Sequence, residues 1–238
     1  MTVQRVLPIA VLAALVGVAY WLRVDQYLTL DTLRDNRAAL LAFVEENKLV
    51  AALGFVSAYA AAVAVSLPGA VILTLAGGFL FGVVGGAALT VIGATIGAAA
   101  LFLIARSAFG DVLRAKAGPF VARMADGFQE NAFSYLLFLR LVPAFPFWAV
   151  NLAPALLGMR FVPFVTATAI GIIPGTTVYS AFGAGLGQVF DAGGEVNLAD
   201  IFSPPLVAGL IGLGVLSLLP ILLKRWKAGR PTVHTSDS

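Results

Sequence analysis

Apolar residues in this chain fall in long blocks, and the charges sit between the blocks. Val6–Leu22 is an uncharged run of 17 residues after Arg5. It ends in Tyr20-Trp21-Leu22-Arg23, an aromatic pair and a charge of the kind found at a membrane interface. A secretory leader would close on a small-x-small cleavage site instead, so the run reads as a retained membrane helix. From Asp25 to Glu46 the pattern changes. Leu30, Leu33, Leu40, Leu41 and Val44 recur at helical spacing, with Arg34, Asp35, Arg37, Glu45 and Glu46 between them. This predicts an amphipathic helix, lying in the interface or packed on the rest of the protein. Thr32 and Asp35 resemble its capping pair.

No charge occurs from Leu49 to Ala105, a stretch of 57 residues. As one helix it would run ~85 Å, far beyond a bilayer. Two spans use ~40 residues, and the remainder is too short for a third crossing with its turns. Ser66-Leu67-Pro68-Gly69 breaks the helix, and Gly77-Gly78 with Gly82 forms a second soft region. The block therefore divides into a span over Leu49–Leu67, a re-entrant segment over Pro68–Gly82 and a span over Val83–Ala105. Polar residues from Arg106 to Glu130, interrupted by Gly118-Pro119, predict short interfacial helices.

The second half repeats this plan. Asn131–Phe190 carries two charges, Arg140 and Arg160, and Pro143, Pro146 and Pro154 exclude one continuous helix. Phe133–Gly158 reads as a second re-entrant segment and Phe161–Gly185 as a span bent near Pro174-Gly175. Irregular backbone at membrane depth survives only where protein or a watery cavity satisfies it. Two such segments in corresponding places are expected to face each other around one cavity, as in inverted-repeat transporters. A last uncharged block, Ile201–Leu223, follows an acidic stretch with Asp191, Glu195 and Asp200. Lys224, Arg225, Lys227 and Arg230 come after it, so the tail is expected in the cytoplasm and the acidic loop outside.

The expected fold is thus an all-α polytopic membrane protein. It has about five spanning helices, two re-entrant loops in inverted repeats, and amphipathic interfacial helices. Residues 1–48 form an N-terminal part, 49–190 the core, and 191–238 the outer loop, last helix and tail. Composition agrees: 60% of the 238 residues are hydrophobic and 11% charged, against about 25% charged in soluble domains. A water-soluble monomer and a disordered chain are both excluded. The net charge of +3 lies at block ends, which is a membrane-flank pattern rather than a nucleic-acid surface. Cysteine is absent and the single histidine, His234, sits in the tail. Thiolate and imidazole chemistry have nothing to work with, so neither a metal site nor an enzyme is expected.

Arg140, in Tyr135-Leu-Leu-Phe-Leu-Arg140-Leu-Val-Pro143-Ala-Phe-Pro146, is the most informative residue. A charge at the bilayer centre costs roughly 2.5–3.5 kcal/mol on insertion scales. Two readings fit: an anion site facing the cavity, or a cation snorkelling at its mouth. No carboxylate lies between Glu130 and Asp191 to pair with it. Pro143 and Pro146 open backbone carbonyls to the cavity, and Asn151 either binds substrate or caps broken backbone. Arg106 either anchors its span or contributes to the site. Pro68, Gly69, Gly77, Gly78, Gly82, Pro154 and Gly158 shape the re-entrant backbone. The four-residue glycine spacings Gly82/Gly86, Gly93/Gly97, Gly171/Gly175 and Gly183/Gly187 predict close helix packing. Thr176, Thr177, Tyr179 and Ser180 either line a path or satisfy backbone freed by Pro174.

Several of these groups resemble the DedA-like, VTT-domain membrane proteins, in the branch called SNARE-associated Golgi proteins. They are Gly77-Gly78-Phe79-Leu80-Phe81-Gly82, Gly93-Ala-Thr-Ile-Gly97 leading to Arg106, Arg140-Leu-Val-Pro143-Ala-Phe-Pro146 with Asn151, and Gly171-Ile-Ile-Pro174-Gly175. The resemblance covers roughly residues 50–190. It implies two facing re-entrant loops and translocation of lipids such as phospholipids or polyprenyl phosphates, with Arg140, Pro143 and Pro146 as the second-loop residues. Pro68–Gly82 lacks the acidic residues that bacterial members carry there. The expected function is a lipid flippase or scramblase in a cell membrane, the bacterial inner membrane being the expected one. Membrane lipids, and a second copy of the chain, are the expected partners. A scaffold that moves nothing and a small-anion transporter are the alternatives.

Overall fold

The computed structural model describes residues 29–67, 69–116, 131–142, 147–191 and 204–219, together with Ala14 and Gly17. The expected first membrane helix, the loop prolines Pro68, Pro143 and Pro146, the acidic outer loop after Asp191 and the basic tail lie outside these residues. Among the described residues every regular element is helical. They are α1 (Leu30–Asp35), α2 (Arg37–Glu46), α3 (Lys48–Ala64), α4 (Ala70–Lys116), α5 (Ala132–Leu141), α6 (Phe147–Leu156), α7 (Phe161–Asp191) and α8 (Pro204–Ser217).

The expected amphipathic helix is two short helices broken at Asn36. The Thr29 hydroxyl caps α1 by accepting the Thr32 N–H at 3.1 Å, so the cap precedes the expected Thr32/Asp35 pair by one turn. Leu33 is buried against Leu75 and Leu186, with Leu30, Leu40, Phe79 and Phe190 around them. The apolar stripe thus packs on α4 and α7, while Arg34, Asp35, Glu45 and Glu46 stay exposed.

Helix α3 ends in a Schellman cap. Ser66 takes a left-handed conformation (φ 55°), and the Leu67 and Ser66 N–H groups donate to the Ala62 and Val63 carbonyls at 2.8 and 3.0 Å. The chain then enters α4, which is two limbs. Gly82 has φ 73° and ψ 179°, outside the helical region. On a straight helix residues 77 and 86 would lie ~13.5 Å apart. Here a Cβ on Gly86 would come within 2.5 Å of the Gly77 carbonyl group and 2.6 Å of the Gly78 nitrogen. Residues 70–81 therefore fold back on 83–116 as a hairpin. The break falls at Gly82 alone; Gly77 and Gly78, expected to soften the backbone, stay helical and supply the close approach instead. The second limb also continues to Lys116, past the expected end at Ala105.

Contacts between limbs set the layout. Phe55 meets Phe81 at 5.5 Å between ring centroids, and Tyr59 bonds Thr74, so α3 runs antiparallel to limb 70–81. Gly93 and Gly97 lie against Val56–Tyr59 and Ala60–Val63 in turn, so α3 runs parallel to the second limb. Limb 70–81 is antiparallel to the later half of α7, with Gly78 on Ser180 and Gly183 on Leu75. These approaches are possible only without a Cβ, as expected for helices associating in lipid.

The expected segment Phe133–Gly158 is likewise two helices, α5 and α6, on either side of 143–146. Gly158 (φ 79°) closes α6 as Ser66 closes α3: Met159 and Gly158 donate to the Pro154 and Ala155 carbonyls at 2.9 and 3.3 Å. Helix α7 runs to Asp191 and keeps Pro174 inside it. One buried cluster joins both halves through Val63, Phe102, Leu136, Met159 and Phe164, with Phe102 and Phe164 stacked at 4.3 Å.

The outside of this bundle is apolar. Leu49, Val84 and Val162 are 73%, 83% and 68% exposed. Ile92, Ile96, Ile170 and Ile173 are exposed as well. Ala70–Ser107 and Phe161–Gly187 are long and apolar enough to cross a membrane. Discounting the limb before Gly82, residues 83–107 still reach ~37 Å, beyond the ~30 Å hydrocarbon core.

Candidate functional site

Arg140 sits in the last turn of α5, where the helix C-terminus favours a cation. Gly171 lets it lie there. A Cβ on that residue would approach the Arg140 Cβ and Cγ to 2.7 and 3.2 Å. The Arg140 stem therefore packs directly on the α7 backbone. Its Nη2 donates to Asn151 Oδ1 at 2.6 Å and to Thr168 Oγ1 at 3.0 Å. Arg140 and Asn151 are eleven positions apart, ~16.5 Å on a straight helix. The bond thus requires the chain to change direction between α5 and α6. Asn151 is fully buried.

Aromatic rings flank the guanidinium, Phe147 with its centroid 4.8 Å from Cζ and Phe164 at 5.8 Å. Both distances fall within cation–π range. Nε and Nη1 of Arg140 and Nδ2 of Asn151 are buried with no hydrogen-bond partner. Neither bonding partner of the guanidinium is a carboxylate. The site is a desolvated positive charge with unused N–H donors. Leaving such donors empty costs roughly 1–3 kcal/mol each, and an anionic oxygen would satisfy them.

A cavity of about 200 Å³ opens beside Arg140. Tyr59 of α3, Ala70, Val71, Thr74 and Ala94 of α4, Phe147 of α6, and Ile172, Gly175, Thr176 and Tyr179 of α7 complete its lining. Residues of both halves thus share one cavity, with Arg140 in its wall. Opposite chemistry lines the first-half side. The Tyr59 hydroxyl bonds Thr74 Oγ1 at 2.9 Å, and Thr74 donates to the Ala70 carbonyl at 3.1 Å.

The expected site residues separate cleanly. Arg140 and Asn151 meet. Arg106 is exposed and outside the cavity lining. Gly171 packs as expected, but Gly175 does not: nothing lies within 4 Å of a Cβ built there, and it faces the cavity. Gly82 turns the hairpin rather than pairing helices with Gly86, and Gly187 makes only ordinary contacts at 3.7 Å or beyond. Gly69 starts the first limb, its carbonyl accepting the Ile72 N–H at 2.8 Å. Of the polar stripe, Thr176 and Tyr179 line the cavity and Ser180 is buried. Thr176 and Thr177 bond the Ile172 and Ile173 carbonyls, not the Ile170 carbonyl that Pro174 deprives of its usual donor. Tyr59, Thr74, Phe147, Phe164 and Thr168 were not expected. Tyr59 carried one signal, as the single tyrosine of the uncharged block 49–105.

Two helices long and apolar enough to cross a membrane, with large apolar side chains on their exposed faces, mark a helical membrane protein. The chain belongs to the VTT-domain family, whose model matches residues 67–185. That match spans the hairpin, Arg140, Asn151 and the α7 face of the cavity. The chain is 27% identical over 186 residues to the transmembrane protein 41 homolog of Dictyostelium discoideum, covering 77% of this chain and 54% of that protein. It is 28% identical over 199 residues to the Caenorhabditis elegans homolog, covering 82% and 78%. Human transmembrane protein 41B is 28% identical over 104 residues, 44% of this chain and 34% of that protein. The chain therefore spans from about a third to three quarters of these relatives. No solved structure matches.

Proposed function

We propose that this protein is a membrane lipid transporter, a flippase or scramblase that moves phosphate-bearing lipids such as phospholipids or polyprenyl phosphates. One observation carries the reading. Arg140 lines the cavity, its Nε and Nη1 are buried with no hydrogen-bond partner, and neither residue that its Nη2 does bond, Asn151 or Thr168, is a carboxylate. A phosphate oxygen is the group such a fork binds best. The lipid carries its acyl chains outside, along the apolar flank, while its headgroup passes Arg140.

In this reading the hairpin at Gly82 and the α5–α6 pair are re-entrant, dipping in from opposite faces as inverted repeats. Their lengths support it. Limb 70–81 reaches ~18 Å and α5 and α6 ~15 Å each, all short of the ~30 Å core. The basic tail after Leu223 is cytoplasmic by its charge. The membrane is a cell membrane, and a homo-oligomer built on the glycine faces is compatible with the site.

The test is reconstitution in liposomes with tail-labelled lipids. Wild type is expected to equilibrate label between leaflets, and Arg140→Ala to lose about tenfold or more, the scale of a hydrogen bond to a charged group. Equal rates for the two proteins reject the assignment. A scaffold without transport is favoured by the glycine contacts, which explain the small residues with no ligand; it predicts no movement in either protein. Flux of soluble anions without lipid movement would mark a small-anion transporter.

A further inference from the structure

The cavity has two chemically different ends. Around Arg140 the buried polar atoms without a hydrogen-bond partner are all donors: Nε and Nη1 of Arg140 and Nδ2 of Asn151, to which Arg140 is bonded. At the other end the hydroxyl protons of Tyr59, Thr74 and Thr176 are committed. Thr74 gives its proton to the Ala70 carbonyl at 3.1 Å. The 2.9 Å bond between Thr74 Oγ1 and Tyr59 Oη is therefore donated by Tyr59. The Ala70 carbonyl is a poorer alternative for Tyr59, at 3.4 Å. Thr176, also in the lining, gives its proton to the Ile172 carbonyl at 2.9 Å. Tyr59 and Thr176 thus keep oxygen lone pairs and have no proton left to offer. Tyr59 is 5% exposed, so bulk water does not compete freely for those lone pairs.

We infer that Tyr59 and Thr176 form an acceptor subsite that selects ligands carrying an N–H or O–H donor beside the phosphate, such as ethanolamine or glycerol headgroups, over trimethylated choline. The phosphate sits at Arg140 while the ammonium or hydroxyl end donates across the cavity. A quaternary ammonium has no proton to give, and it leaves Tyr59 and Thr176 unmatched in a desolvated wall. The cavity, about 200 Å³, has the volume of roughly seven waters at ~30 Å³ each. That is headgroup scale, and it leaves the acyl chains outside. This subsite rests on the phosphate reading of Arg140 proposed above.

The experiment uses the full chain in unilamellar vesicles doped with tail-labelled phosphatidylethanolamine or phosphatidylcholine. Wild type is expected to move the ethanolamine lipid about fivefold faster, the scale of one net hydrogen bond. Tyr59→Phe keeps the ring and removes the acceptor; it is expected to lower the ratio of the ethanolamine rate to the choline rate from about fivefold to about one. Thr176→Val is expected to shift the ratio in the same direction. A size-exclusion profile and melting temperature matching wild type report that each variant is folded. A wild type with no preference, or a preference that survives in both variants, overturns the subsite. Arg140→Ala moving lipid as fast as wild type overturns the phosphate reading on which it rests. In a second arm the vesicles entrap radiolabelled O-phosphoethanolamine. Release that Tyr59→Phe slows would uphold the acceptor end while reassigning the ligand from a lipid to a soluble phosphate.

Discussion

Gly78 lies against the Ser180 carbonyl with no room for a methyl group between them. Three residues back along the hairpin limb the relation is mirrored, and Gly183 of α7 lies on the Leu75 carbonyl. The two helices meet backbone to backbone at both points, and neither neighbour is the movable end of a side chain. Gly78→Ala and Gly183→Ala are expected to destabilise the fold by about 1–3 kcal/mol each, the usual cost of overpacking. Gly175→Ala, with nothing within 4 Å of its new methyl, is expected to leave stability unchanged. Thermal unfolding in detergent, read by size-exclusion fluorescence, checks the contrast. Equal losses at all three positions would show that the packing does not govern.

Asn151 holds Arg140 without neutralising it. Its Oδ1 already holds Arg140 Nη2 at 2.6 Å. Asn151→Asp keeps that geometry and supplies the carboxylate that Asn151 and Thr168 lack. The new ion pair is expected to hold or raise thermal stability, because a desolvated cation gains a counter-ion. Lipid movement is expected to fall about tenfold, because the same carboxylate competes with the phosphate. A purely structural Arg140 predicts the first result without the second. Transport and melting temperature measured on one preparation separate them.

Much of this was readable beforehand because lipid imposes coarse rules. Uncharged block lengths and the placing of breakers announced the segmented core, and a charge isolated in an apolar run announced Arg140. What the sequence does not show is local. Gly77, Gly78 and Gly82 look alike in sequence, yet only Gly82 adopts a non-helical conformation, because the other two are needed where Gly86 and Ser180 approach. Gly171 and Gly175 share one helix and a four-residue spacing, but one carries the Arg140 stem and the other faces a void. Thr168 was invisible: a threonine in an apolar helix usually bonds its own backbone, as Thr166 does to Val162 at 2.9 Å. Its partner Arg140 lies 28 residues away, beyond any local pattern.

Gly175 also offers a way to close the cavity without touching its polar atoms. A leucine there would place an isobutyl group in the cavity that Arg140 and Tyr59 also line. Gly175→Leu is expected to abolish lipid movement while the protein elutes and melts like wild type. Gly175→Ala, smaller by three carbons, is expected to retain most activity. Leucine at this position with undiminished transport would place the lipid path elsewhere.

The two Schellman caps differ in one residue, and that difference is measurable. Gly158 holds φ 79° without a Cβ, whereas Ser66 holds φ 55° with one. A left-handed residue with a side chain costs about 1–2 kcal/mol. Gly158→Ala is therefore expected to lower stability by about that amount. Ser66→Gly, at an exposed position, is expected to raise it by a smaller margin, because glycine also gains entropy in the unfolded chain. Opposite signs from the same assay support the shared cap; a loss at both positions would mean that the Ser66 side chain stabilises the turn.

The depth of the hairpin can be read with a single probe, because the chain has no cysteine to mask. Val84 follows the Gly82 turn by two residues and is 83% exposed. If limb 70–81 dips into the bilayer and returns, a thiol at Val84 lies in hydrocarbon. Val84→Cys is then expected to resist charged maleimides added to either side of sealed vesicles, and to react with a lipid-soluble maleimide. Cysteine at exposed Lys48, beside the start of α3, is expected to react with the charged reagent from one side. Rapid labelling of Val84→Cys by the charged reagent would make the first limb part of a full crossing. The hairpin would then no longer be a re-entrant one.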